Sequence, residues 1–198
     1  MKQVFWRIAI AAMELAAPAL CLTPLFILWC WKRKFRPGKA LWHYLFLLYL
    51  CAMLGVTGFP NIRYFEVDLN VNLIPFVDML SGLTGTLLNV ALFLPLGFLL
   101  PFLSRKYDSL KATMTTALFT TVSIELLQIF THRATDIDDL ITNCLGAFLG
   151  FLLAKPLKKP ANREETSNTI RVLYAAVALF MFFAEPYVLP VIWDALYS

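Results

Sequence analysis

Six apolar runs, at about 4–31, 41–59, 84–103, 112–130, 139–154 and 171–193, alternate with short polar stretches along the chain. A helix needs about 20 apolar residues to cross about 30 Å of hydrocarbon. Only helices can span here, because single segments cannot close a barrel. The pattern predicts an all-α fold, a polytopic transmembrane bundle of about six helices. The fifth run is short, so its polar start is expected near the headgroups or in a hydrated cleft. The first run has a basic start and an apolar stretch, as a signal peptide does. It is too long for one, and it ends in Trp29-Cys30-Trp31 followed by Lys32, Arg33 and Lys34, a stop-transfer pattern that predicts a retained helix.

The charged positions orient these spans. Lys32, Arg33, Lys34, Arg36 and Lys39 fill the 32–40 loop, Arg105, Lys106 and Lys111 the 104–111 loop, and Lys155, Lys158, Lys159 and Arg163 the 155–170 stretch. The alternating loops are poor, with only Arg63 in 60–83 and only Arg133 in 131–138. The positive-inside rule puts the rich loops in the cytoplasm and both termini outside. Lys2 and Arg7 oppose this arrangement, and the five charges of the next loop outweigh them.

Composition agrees. Of 198 residues 60% are hydrophobic and only 15% charged, against about 25% charged in a soluble domain. Trp6, Trp29, Trp31, Trp42, Tyr187 and Trp193 fall at segment ends, as an interfacial belt requires. The net charge of +4 lies in short loops between spans, which argues against a nucleic-acid partner. Cys21, Cys30, Cys51 and Cys144 sit within apolar runs without CxxC or Cys/His spacing, so neither a disulfide framework nor a zinc site is expected.

The 155–170 stretch, KPLKKPANREETSNTI, reads as a polar cytoplasmic linker within one membrane domain covering 1–198. The 60–83 loop differs. Phe65 to Leu73 alternates apolar and polar with period two, which predicts an extended segment on the outer surface, ended by Pro75 and packed on the bundle. A weak echo links Asn89…Gly97-Phe98-Leu99-Leu100 to Asn143…Gly150-Phe151-Leu152-Leu153. A hairpin duplication and chance in an apolar chain both produce such an echo.

Candidate chemistry concentrates between Ser123 and Gly146, read as SIELLQIFTHRATDIDDLITNCLG. Carboxylates at a membrane boundary are costly unless paired, hydrated or used. Glu125 and Gln128 are three apart, with Thr121 and His132 continuing the stripe, and they should face the fifth helix across a short loop. Asp139, Asn143, Gly146 and Gly150 are spaced to share one helical face, with Asp136 joining it if helical. Gly146-xxx-Gly150 permits close helix contact. Arg133 is placed to pair with Asp136 or Glu125. One capping Asp is ordinary at a helix start; Asp136, Asp138, Asp139 and Asn143 together exceed what a cap needs. The alternative is a buried hydrogen-bond network that only fixes the helices. Pro95 within the third span implies a kink. With the orientation above, Asn89, Glu125, Gln128, Asp136, Asp138, Asp139 and Asn143 all fall toward the outer leaflet, as do Glu14 and Glu185. No Ser/His/Asp elbow, phosphate loop or H-E-x-x-H supports an enzyme, and no metal or cofactor is expected.

NLIPF at 72–76, N-x5-P-L-G-F-L-L-P at 89–101, S-x-E-x-x-Q at 123–128 and R-x-x-D-x-D-D-L-I-x-N-x-x-G-A-x-x-G at 133–150 resemble the VanZ-like family of small bacterial membrane proteins. The resemblance covers about 60–155, in order and spacing; Cys144 stands where a Thr follows the Asn in the family pattern. It implies a cytoplasmic-membrane protein associated with low-level teicoplanin resistance. It also implies a polar site built from Glu125, Gln128, Arg133, Asp136, Asp139 and Asn143, with Asn72 and Asn89 in the flanking motifs. Membrane lipids, a lipid-linked cell-wall precursor or a lipoglycopeptide are the expected partners. The alternatives are an intramembrane enzyme acting on an envelope lipid, with Glu125, Asp136 and Asp139 as candidate catalytic groups, and a lipid transporter.

Overall fold

Long apolar stretches without central charges leave the backbone one way to satisfy its own polar groups inside a membrane, and the chain takes it. A computed structural model describes residues 2–60, 62–63, 67, 71–72, 74–76, 82–131, 135–157 and 167–197. His132 and Arg133, the Glu14 side chain, most of the 60–83 alternation and most of the 155–170 linker lie outside the described residues. The helices are α1 (Lys2–Lys32), α2 (Pro37–Val56), α3 (Leu83–Leu103), α4 (Leu110–Gln128) and α5 (Ile137–Leu157). A last helical stretch runs as α6 (Ser167–Leu179), a π-helical turn (Phe180–Ala184) and α7 (Glu185–Tyr197). Two two-residue strands, β1 (Val71–Asn72) and β2 (Thr135–Asp136), pair in parallel.

The protein is an all-α membrane protein. Among the described residues four helical stretches are long and apolar enough to cross a bilayer: Pro37–Val56, Leu83–Leu103, Ile137–Leu157 and Asn168–Ala195. The outer faces are apolar too. Leu118, Phe119 and Leu126 of α4 and Leu152 and Leu153 of α5 are exposed, a surface suited to lipid and not to water. α4 is not among these four stretches, being made more polar by Thr113, Thr115, Thr116, Thr120, Thr121 and Ser123. Thr120 and Ser123 return their hydroxyls to the carbonyls of Thr116 and Phe119, at 2.9 and 2.7 Å.

One prediction needs correction. The fifth helix is not short: α5 has 21 residues. Its first turn absorbs Asp138 and Asp139, because carboxylates are favoured at the positive end of the helix dipole. It also runs on through Lys155 and Pro156.

The described chain divides into two compact units, residues 1–65 with 171–198, and residues 66–170. In the first, α1 and α2 are tied by a Thr23–Tyr44 hydroxyl contact of 3.0 Å and by Phe26 against Tyr44. α1 ends in a Schellman motif: the Phe35 N–H donates to Cys30 O and the Lys34 N–H to Trp31 O, both at 3.1 Å. Lys34 sits there at φ 51, left-handed backbone that costs an L-residue other than glycine roughly 1–2 kcal/mol.

The second unit holds the candidate chemistry. α3 and α5 lie side by side and parallel, backbone against backbone. A Cβ on Gly97 would overlap the Ala147 carbonyl, one on Gly146 the Val90 carbonyl, and one on Gly150 the Leu94 carbonyl and the Phe98 amide. Absence of side chains at these three positions is what lets the helices meet. α4 packs along α5, with Thr121, Ile124 and Glu125 buried.

Candidate functional site

The site forms where α5 begins. Asp136 is not helical. It ends β2, and its Oδ1 accepts the Asp138 N–H at 2.9 Å, which makes Asp136 the N-cap of α5. The expectation that it shares the helical face of Asp139 is therefore corrected: a cap residue keeps extended backbone and points its side chain back along the helix. The Asp136 N–H donates to Glu125 Oε2 at 3.0 Å. In a capping box that N–H would be taken by the carboxylate three residues on, here Asp139. Glu125, reaching across from α4, takes that place and leaves Asp139 for another partner.

That partner is Asn89 of α3, whose Nδ2 donates to Asp139 Oδ1 at 2.5 Å. Asp138 is buried, and its Oδ1 accepts the Phe76 N–H at 2.6 Å. Phe76 has φ 70, a strained left-handed conformation in the turn that Pro75 leads. Upstream, Asn72 Oδ1 accepts the Ile74 N–H at 3.1 Å in an Asx turn, and Asn72 lies opposite Asp136 in the β1–β2 pair. The NLIPF motif is thus pinned to the head of α5 at two points. Ile74 and Phe76 face outward, 67% and 58% exposed.

One turn into the membrane, Asn143 Nδ2 donates to Thr121 Oγ1 at 2.9 Å. Four residues on from Asp139 is about 40° further round the helix. That turn carries Asn143 to the α4 side, while Asp139, Gly146 and Gly150 meet α3. The single face predicted for these four is accordingly shared between two neighbours. Asn143 is 4% exposed, and its Oδ1 meets no donor among the described residues. Thr142 closes the first turn by donating to the carbonyls of Asp138 and Asp139, at 2.9 and 3.2 Å. Gln128, buried one turn beyond Glu125, receives the Thr131 N–H on its backbone carbonyl at 2.9 Å.

Asn72, Asn89, Glu125, Asp136, Asp138, Asp139 and Asn143 thus gather at one end of α3–α5, each in a hydrogen bond to a neighbouring element or within the head of α5, with Gln128 alongside. Burying carboxylates costs several kcal/mol each unless donors meet them; backbone amides and Asn89 meet these. The reading of the residues alone missed the Phe76 amide and the Thr142 hydroxyl. Pro75 was the available signal for the first, since proline leads turns whose next residue is left-handed.

The model of the VanZ/LLP1 family matches residues 46–159, which include every residue of this assembly. The chain belongs to the VanZ/LLP1 family. Protein VanZ of Enterococcus faecium is 30% identical over 140 residues, 67% of this chain and 85% of that protein. No solved structure matches the chain. The family match begins within α2, so α1 and the α6–α7 stretch lie outside the VanZ/LLP1 region.

Proposed function

We propose that this VanZ/LLP1 protein is a cell-envelope factor of the bacterial cytoplasmic membrane that lowers susceptibility to teicoplanin-like lipoglycopeptides. Its acidic assembly binds a cationic or lipid-linked group at the outer leaflet. The observation that carries the reading is the gathering of Glu125, Asp138 and Asp139, from two helices, beside an outward-facing apolar turn at Ile74–Phe76. Such a pairing suits a ligand with a charged or donor-rich head and an apolar chain. The buried Asn143 Oδ1, lacking a donor among the described residues, adds an acceptor of the same polarity.

The test uses isosteric variants. Asp139→Asn keeps an oxygen for Asn89, and Glu125→Gln keeps one for the Asp136 N–H, so each keeps the hydrogen bond and removes the ionisable group. At matched membrane abundance, either variant is expected to bring teicoplanin susceptibility to the level of cells without the protein. Undiminished resistance in both refutes the reading.

The 3% exposure of Glu125 favours a second reading, an intramembrane enzyme that uses this carboxylate as general base on an envelope lipid. Lipid extracts separate the two. A lipid species that changes with wild-type protein and not with Glu125→Gln supports the enzyme; identical extracts support binding.

A further inference from the structure

The turn joining α1 to α2, outside the VanZ/LLP1 match, closes around a basic and aromatic hollow. Cys30, Trp31, Lys32, Lys34 and Phe35 line an open cavity of about 520 Å³. Lys32, Arg33, Lys34 and Arg36 are exposed there, and the sequence holds no Asp or Glu between Glu14 and Glu66.

The walls are preorganised. The two Schellman hydrogen bonds fix the chain from Cys30 to Phe35. The Phe35 ring lies tilted 5.1 Å from Trp29 and edge-on 5.5 Å from the fully buried His43, and the Lys39 ammonium lies 4.8 Å from its centroid. His43 is itself held to the Lys39 carbonyl at 2.7 Å.

Lys34 is the informative residue. It occupies the left-handed position after the helix, at φ 51, where glycine closes the same turn without strain. Orienting the protein requires lysines somewhere in the loop and gives no reason to place one at the strained position. A strained residue that carries a charge into the wall of a cavity points instead to a ligand for that charge.

We propose that this hollow binds the phosphodiester headgroup of an anionic phospholipid. Lys32 and Lys34 meet the phosphate, and Trp31 and Phe35 lie against the glycerol and the first acyl carbons. The basic loop faces the cytoplasmic leaflet under the positive-inside rule, where anionic lipids supply such phosphates.

Native mass spectrometry of the full-length protein, released from detergent, tests this with phosphatidylglycerol, phosphatidylcholine and inorganic phosphate as probes. Phosphatidylglycerol is expected to bind in preference to phosphatidylcholine, and inorganic phosphate is expected not to displace it. One basic residue near an anionic surface is worth about fivefold in affinity. Lys34→Gly should therefore weaken phosphatidylglycerol about fivefold while the thermal midpoint stays level or rises, because glycine relieves the backbone. Lys34→Asn, also tolerant of left-handed backbone, should give the same loss by a second route. Lys106→Ala, on a different turn, should change nothing. Equal binding of the two lipids, unaltered phosphatidylglycerol affinity in both Lys34 variants, or displacement by inorganic phosphate would each overturn the proposal.

Discussion

Asp136 joins three elements through one residue. Its carboxylate caps α5, its backbone pairs with Asn72, and its N–H ends on Glu125 of α4. All three roles need only an oxygen or backbone groups, so charge at this position is dispensable for them. Asn is as good an N-cap as Asp, whereas Ala costs about 1 kcal/mol. Asp136→Asn is expected to keep the thermal midpoint and the resistance phenotype, and Asp136→Ala to lower the midpoint in detergent. Loss of resistance in Asp136→Asn at full stability would move Asp136 into the group whose charge is used. The sequence made the acids conspicuous, and it did not divide them. Three carboxylates in four residues look alike on paper. Which one caps, which anchors Phe76 and which reaches Asn89 depends on partners 11, 50 and 62 positions away.

At the scale of elements, the α3–α5 pair sets the site's geometry. Gly97 meets Ala147 and Gly150 meets Leu94. The offset that carries Gly97 onto Gly150 carries Leu94 onto Ala147, so the two contacts are images of each other. The faint Gly-Phe-Leu-Leu echo in the sequence thus corresponds to a real local symmetry in the packing of parallel helices. Side chains added to such a contact must push backbone aside, which costs 1–3 kcal/mol or more. Gly150→Leu is expected to lower the thermal midpoint markedly and to weaken Asn89–Asp139 pairing at the far end of the same seam. An unchanged midpoint would mean the helices do not pack this way. Most helix positions could be read from hydropathy alone, within a few residues. The fifth looks short in hydropathy because acidic residues at a helix start resemble a loop. That α3 is its partner was not legible, because Gly97 in an apolar run carries no sign of what lies against it.

For the whole molecule, the alternation of basic and poor loops carries the orientation, and the proposed function depends on it. If the turn after α4 faces outward, the acidic residues beside it are placed for a ligand at the outer leaflet. The reach of the NLIPF turn to the head of α5 was hidden in the sequence, since it rests on a backbone amide and a left-handed Phe76. The most direct test of the central claim is labelling of single cysteines in intact cells, with Cys21, Cys30, Cys51 and Cys144 replaced. A membrane-impermeant maleimide is expected to label Thr131→Cys, beside the acids, in intact cells, and Ser109→Cys, at the opposite end of α4, only after permeabilisation. The reverse pattern would put the assembly in the cytoplasm and contradict the account.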